Sequence, residues 1–262
     1  MTDFIGSPAA IAAQKNIRDR QAQTALTPAW VNAARVMFFL EPDKTGWDAI
    51  KQIAAQDRMV GFPLVNADEM RAGIRQNLGP EWDTRAWDAL TGSADQVLAA
   101  CKTVTAAAPL PEDSTVIYHD RPSDVEITEI QTLNAATGVS PYPAYFMRSE
   151  AVPVLTVAIK DARNRVVATA SATMRYHPDC TLGRYVFAGM VSVTPALRGK
   201  GLGKLANALV LRESHRRFNW THATENVASD NPVSLAMITS CGLTAGGLVT
   251  VVASTTGENL TR

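Results

Sequence analysis

A mixed α+β fold, in which helices flank a central sheet and a mostly helical region precedes it, is the architecture this sequence predicts, on three observations. Residues 1–105 carry apolar side chains mostly at helical spacing. Residues 106–114 interrupt that habit with small residues and prolines. Residues 115–262 open with a hairpin of β-rich runs and then interleave helices with strands, which suits a mixed sheet better than a doubly wound parallel one. With 262 residues and 46% hydrophobic composition, the chain can bury one large core or two modest ones.

In the first region, residues 47–55 put Ile50, Ile53 and Ala54 on one helical face, and residues 85–90 and 94–101 continue the helical reading. Residues 105–113, with Pro109 and Pro111, read as a linker, so the expected organisation is 1–105, linker 106–114, and a second unit over 115–262. In that unit 115–119 reads as a strand and 123–133 as a helix with Val125, Ile130 and Leu133 as candidate buried positions. Strands follow at 154–160 and 166–176, joined by a turn at 161–165, and a third at 184–194. A helix over about 200–217 carries Leu202, Leu205, Ala206, Leu209 and Val210 in one stripe. The chain ends with a strand at 220–227, a helix at 232–240 and a strand at 248–254, and no internal sequence repeat is evident.

Lys and Arg total 25 and Asp and Glu total 25, so no global field recruits nucleic acid or an anionic membrane, and any anion site must be local. Cys101, Cys180 and Cys241 are too few for a disulfide framework, and none forms a C-x-x-C pair, so a reducing compartment and no structural metal are expected. The N-terminus lacks the basic-then-apolar layout of a secretory signal, and no apolar run reaches the roughly 18 residues that span a bilayer. A cytoplasmic protein is the expectation.

The segment richest in chemistry is 191–205. Val191, Ser192 and Val193 end a strand, Thr194 to Leu197 form a short loop, and Arg198, Gly199, Lys200, Gly201, Leu202, Gly203 and Lys204 open a helix. The first N–H groups of a helix lack internal partners and sit at the positive end of its dipole, so they bind phosphate, and glycines let the oxygens approach. Residues 198–217 hold six Lys or Arg against one acid, Glu213, a local charge of +5 that suits a polyanionic ligand. A P-loop requires Ser or Thr after its Lys, where Leu205 stands, and a dinucleotide fingerprint requires G-x-G-x-x-G rather than G-x-G-x-G.

With Val193, Pro195, Arg198, Gly201 and Gly203 at their spacing, the segment resembles the acetyl-CoA-binding motif of the GNAT superfamily of N-acetyltransferases, V-x-P-x-x-[QR]-x-x-G-x-[GA]. The resemblance extends over about 115–262. It implies that Val191, Ser192 and Val193 present backbone groups to the acyl and pantetheine parts of acetyl-CoA, and that Gly199 to Lys204 cradle the pyrophosphate. Residues 231–243 resemble the family's N-x-x-A-x-x-x-Y-x-x-x-G-F helix, implying Asn231 near the pantetheine, with Ser234 as the small residue. Ile238 stands where the family commonly has a tyrosine acid and Leu243 where it has phenylalanine.

Glu225, on the strand after the motif helix, is the candidate general base, but strand alternation alone does not decide whether Glu225 or Asn226 faces the site. His119, His177 and His222 are further candidates, each more often structural, and Cys241 reads as a packed side chain. Tyr142, Tyr145 and Phe146 fall where the resemblance implies an acceptor pocket, with core packing an equal reading. The expected function is direct acetyl transfer from acetyl-CoA to a primary amine of a small-molecule or peptide acceptor, without nucleic acid or membrane. A CoA-binding regulatory or sensor module is the alternative. Acceptor identity and oligomeric state are not legible in the sequence.

Overall fold

The computed structural model of the chain describes residues 3–108 and 110–255; Pro109 of the expected linker lies outside them. Helices α1 (Pro8–Asp19) and α2 (Gln21–Thr24) precede short strands β1 (Trp30–Asn32) and β2 (Met37–Phe39). Then come α3 (Pro42–Thr45), α4 (Trp47–Asp57), β3 (Met59–Val65), α5 (Ala67–Asn77), β4 (Asp83–Ser93) and α6 (Ala94–Ala107). The chain continues with β5 (Thr115–His119), α7 (Asp124–Ala136), α8 (Ala144–Met147), β6 (Val154–Lys160), β7 (Val166–Thr173) and β8 (Tyr185–Val193). A short 3-10 turn at Pro195–Leu197 leads into α9 (Leu202–Phe218), β9 (His222–Val227), α10 (Pro232–Ser240) and β10 (Thr244–Ser254).

Local chemistry explains several boundaries. Ser93 and Ser123 each close a capping box, with Gln96 and Glu126, and so start α6 and α7. The turn between β6 and β7 is held by Asp161, whose carboxylate accepts from the Arg163 and Arg165 N–H groups.

The ten strands form one mixed sheet in the order β1-β2-β3-β10-β4-β9-β8-β7-β6-β5, which runs across the boundary expected at 106–114, with β4 of the first region between β10 and β9. The centre of this order reads the same from either end. Exchanging β2, β3 and β4 for β8, β9 and β10 converts β2-β3-β10-β4-β9-β8 into itself reversed. The exchange also preserves the parallel pairs β2/β3 and β8/β9 and the antiparallel pairs β3/β10 and β9/β4. Helices follow suit: α4 and α9 are the crossovers within the parallel pairs, and α5 and α10 lead into the exchanged strands. The strand order thus repeats one plan twice, with β4 and β10 exchanged between the two halves, although no repeat is visible in the sequence.

Residues 85–90, expected as helix, are instead part of β4. This segment pairs on both sides, Leu90 with Glu225 and Ala86 with Val251, so a central place in the sheet overrides the propensity of its alanines. Val125, expected buried, is 69% exposed on α7, while Ile130 and Leu133 are buried. Helices α6 and α9 cover one face of the second half, over Val97, Cys101, Leu155, Val157, Leu205 and Val210. Helix α7 covers the other face, where Asn134 donates to Thr169 Oγ1 at 3.0 Å and Ser192 Oγ at 2.9 Å. Among the described residues no helix is long and apolar enough to cross a membrane.

Candidate active site

Strands β8 and β9 run parallel and pair only from Tyr185–His222 to Phe187–Thr224. Beyond that they part, although β8 continues to Val193 and β9 to Val227. The separation coincides with a bulge in β8. Thr169 of β7 opposes Ser192 but Ser171 opposes Gly189, so β8 carries an extra residue there, and Met190 takes a left-handed φ of 56°. Such a conformation is costly for a residue with a side chain and clusters at functional sites. The outcome is an opening through the sheet, occupied by a cavity of about 200 Å³ that reaches from α10 on one side to the β1–β2 hairpin on the other.

Helix α9 starts at the edge of this opening. Gly199 and Gly201 have φ of 76° and 78°, and a Cβ on either would meet nothing within 4 Å, so both glycines serve a left-handed turn beside open space. Gly201 is the N-cap with no side-chain cap, and the first turn of α9 contains no acid. Among the described residues, the N–H groups of Gly199 to Lys204 donate to no backbone carbonyl; the ladder begins with Leu205 N–H to Gly201 at 3.0 Å. Gly203 is needed for packing, since a Cβ there would sit 3.3 Å from Val193 and 3.5 Å from Val191. Exposed Arg198 donates from Nε to the Val193 carbonyl at 3.3 Å, which ties the loop to the end of β8.

The local charge of +5 needs correction. Helix α9 has 17 residues, about 25 Å at 1.5 Å per residue, and three of the six cations of 198–217, Arg212, Arg216 and Arg217, lie toward its far end. There Arg216 and Arg217 pair with Glu213, and the guanidinium hydrogen bonds hold its carboxyl down at about 2. Only Arg198, Lys200 and Lys204 stand near the glycine loop.

The remaining expected positions divide. Val191, Asn231 and Ser234 line the cavity, and Asn231 caps α10 by accepting the Ser234 N–H at 3.0 Å. Ser192 does not offer its side chain: the hydroxyl is turned away and accepts from Asn134 and Thr137, both at 2.9 Å. Leu202 is buried in the core, leaving only its backbone for a ligand.

Glu225 lines the cavity, is 1% exposed, and accepts a 2.7 Å hydrogen bond from Asn207 Nδ2 of α9. Burial pushes its carboxyl up to about 7, against the smaller opposing pull of Asn207. The alternation is thereby resolved. Glu225 shares the α6/α9 face with its cross-strand neighbour Leu90, whereas Asn226 faces the other way and accepts from Thr250 Oγ1 at 3.0 Å.

The histidines lie elsewhere. His222 stacks on Tyr185 at 4.7 Å where β8 and β9 are still paired, His119 sits 3.5 Å from Glu126, and His177 is 3.8 Å from Asp179. Cys241 is fully buried, and its hydrogen bond with Cys101, together with burial, pushes the Cys101 thiol far up. Tyr142 lines the cavity, while Tyr145 and Phe146 of α8 pack in the core. Sequence reasoning missed Arg35, Phe38, Trp87 and Arg175 among the lining. A signal existed for Arg35, which is the one charge in the run 30–40, apolar but for Asn32.

Residues 125–243 match the sequence model of the acetyltransferase (GNAT) family. Solved structures share the fold across nearly the whole chain. A GCN5-related N-acetyltransferase from Kribbella flavida has a TM-score of 0.58 at 16% identity, covering 96% of this chain and 98% of that one. A Drosophila protein gives 0.59 at 13%, covering 94% and 89%. A tandem GNAT protein from the clavulanic acid biosynthesis pathway gives 0.55 at 14%, covering 87% and 77%. No curated protein sequence matches the chain.

Proposed function

We propose, from the match of residues 125–243 to the acetyltransferase (GNAT) family model, that the chain is an acyltransferase that moves an acetyl group from acetyl-CoA to a primary amine by direct transfer in a ternary complex. The observation that carries this reading is the continuity of the opening between β8 and β9 with the unpartnered N–H groups at the start of α9. Six backbone donors at the positive end of a 17-residue helix, with Arg198, Lys200 and Lys204 beside them, suit a pyrophosphate. The gap between the strands suits an extended pantetheine arm, with Asn231 and Ser234 along its wall.

In this reading the neutral amine attacks the thioester carbonyl carbon from the hairpin side of the cavity. A backbone N–H of Val191–Val193 steadies the oxygen as it gains charge. Glu225, acting through a water, takes the proton that the nitrogen loses; a carboxyl near 7 is half ionised at neutral pH and so serves as a base there. The carbon–sulfur bond then breaks and CoA leaves as a thiolate. Cys101 and Cys241 are buried and neither lines the cavity, so neither serves as a nucleophile on this path.

The test is thiol release from acetyl-CoA across a panel of primary amines, alongside calorimetric binding of acetyl-CoA. Binding without thiol release from any amine would convert the reading to a sensor, the alternative that Ile238 in place of a tyrosine favours.

A further inference from the structure

Helix α9 carries an amide where its packing calls for an apolar side chain. Asn207 is fully buried, and its helix neighbours Leu205, Ala206, Val210 and Leu211 all belong to the core between α9 and the sheet. Its Nδ2 donates to Glu225 Oε1 at 2.7 Å, while its buried Oδ1 has no hydrogen-bond partner among the described residues. An unmet buried oxygen costs stability that a leucine, branched at the same carbon, would not incur. The amide is therefore kept for what its N–H does.

That N–H meets a group in need of it. An ionised carboxylate only accepts hydrogen bonds, and burial without a donor drives it to the neutral form. The other titratable groups around Glu225 supply no such donor to it. Cys101 of α6 feels its charge and stays a thiol, with Arg212 acting on that same thiol, and Cys241 lies beside Cys101. Asp88 of β4 opposes Val227 on the same face of the sheet, and Tyr142, Arg35 and Arg175 lie elsewhere along the cavity wall. Against burial, Asn207 is the one opposing influence on the Glu225 carboxyl.

We infer that Asn207 is a positioning residue: its amide fixes the Glu225 carboxylate at the wall of the opening and supplies the N–H that lets that carboxylate carry charge there. The inference rests on the acyl-transfer reading for what the carboxylate does in turnover; the hold of one side chain on the other does not. Asn207 stands one turn beyond Gly203, so the helix whose first N–H groups face open space also sets the place of the carboxylate.

The experiment compares the parent with Asn207→Leu, which removes the donor, and Asn207→Asp, which keeps the shape but puts an acceptor in the donor's place. The first readout needs no turnover: carbon-13 NMR of the glutamate side-chain carboxyls, with the Glu225 signal assigned by its loss in Glu225→Gln. The titration expected near pH 7 in the parent should move up by about one pH unit in Asn207→Leu, the worth of a charge-assisted over a neutral hydrogen bond. It should move further in Asn207→Asp, where two carboxyls at hydrogen-bond distance share one proton. Stability of Asn207→Leu in urea should fall more at pH 9, where Glu225 must carry charge, than at pH 5. The second readout is thiol release: the acid limb of kcat/KM should rise with the titration, while KM for acetyl-CoA stays within about threefold. If Asn207→Leu does not fold, Asn207→Asp decides alone. A titration unmoved in the variants, with stability lost equally at pH 5 and pH 9, is what a merely structural amide would give and overturns the inference. So does a titration that moves while the acid limb stays at the parent pH. A moved titration with no thiol release from any amine, in parent or variant, would instead remove the transferase reading and leave the hold of Asn207 on Glu225 standing.

Discussion

The two halves of this molecule share one strand-and-helix plan and spend it differently. In the second half β8 is 9 residues long and outruns its pairing with β9, leaving the gap that opens the sheet. In the first half β2 is 3 residues long, pairs with β3 at Met37–Val60 and Phe38–Gly61, and stops, so no strand remains to line a gap. The crossover helices start alike, with Gly46 and Gly201 at the N-cap, and then diverge. After Gly201 come Leu202, Gly203 and Lys204; after Gly46 come Trp47 and Asp48. Trp47 packs on Phe62 at 5.6 Å, and Phe39 lies 6.3 Å from Phe62, so aromatic rings fill the first half's interior. Asp48 puts a carboxylate in the first turn of α4, which satisfies the dipole and repels phosphate. One half holds the open slot, and the other holds core and the wall that supplies Arg35, Phe38 and Trp87.

The largest expected effect tests the structural half. Phe62 is fully buried, and Phe62→Ala should cost about 3–5 kcal/mol of stability through lost burial and a residual cavity. Urea unfolding followed by circular dichroism reads this, and acetyl-CoA affinity of the folded fraction should stay within about threefold. A loss under roughly 1 kcal/mol would mean that the aromatic cluster is not what holds the first half.

The binding half is tested at its helix start. Gly203→Glu places a carboxylate among the α9 N–H groups and a Cβ against Val193, and should weaken acetyl-CoA by about a hundredfold or more. Asp48→Lys, at the matching turn of α4, should leave calorimetric stoichiometry at one acetyl-CoA per chain. A second binding event in Asp48→Lys, or none lost in Gly203→Glu, would break the comparison between the halves. Affinity should also fall with added salt, because part of the attraction is charge on phosphate.

Glu225 couples chemistry to stability. As a base it should give kcat/KM an acid limb near pH 7, and Glu225→Gln should lower kcat by about a hundredfold across pH 6 to 9. The folded-state pKa lies above the ordinary carboxyl value, so folding favours the protonated form. Its stabilising contribution is full below the unfolded pKa of about 4.3 and is lost as pH rises through about 7. Glu225→Gln, which mimics the protonated form, should therefore match the parent near pH 4 and be more stable at pH 8, by up to about 3 kcal/mol. A full rate in Glu225→Gln would take Glu225 out of the mechanism.

Much of the second half was legible because its signals are local. The stripe of α9, the hairpin turn at Asp161 and the capping box at Ser123 each announce an element within a few residues. The glycine loop was legible for the same reason. The first half was harder, because β4 owes its state to two partners, β9 and β10, that lie more than a hundred residues away. The repeated plan is not visible in the sequence, since matching positions, such as Gly203 and Asp48, serve opposite purposes. Arg35 and Arg175 escaped notice because their meaning depends on a cavity built from both halves; a lone arginine beside a strand reads as a surface charge until its neighbours are known.

The smallest expected effect concerns Ile238, where the family pattern has a tyrosine. Ile238 is 2% exposed and lines the cavity, so a phenol there could reach the departing sulfur. The thiol of CoA has a pKa of about 8.5, low enough for the thiolate to leave without full protonation, whereas an alkylamine with a pKa of about 10.4 is almost wholly protonated at pH 7. Supplying a neutral amine is therefore the harder step, and an added acid relieves the easier one. The larger ring must also enter a packed site, and overpacking of that kind costs about 1–3 kcal/mol. Ile238→Tyr should change kcat by less than about tenfold, with the acid limb set by Glu225 unmoved. A rise beyond tenfold at pH 7, with a new alkaline limb near the tyrosine pKa, would show that protonation of the leaving sulfur limits the rate and that the slot in the second half lacks an acid the reaction needs.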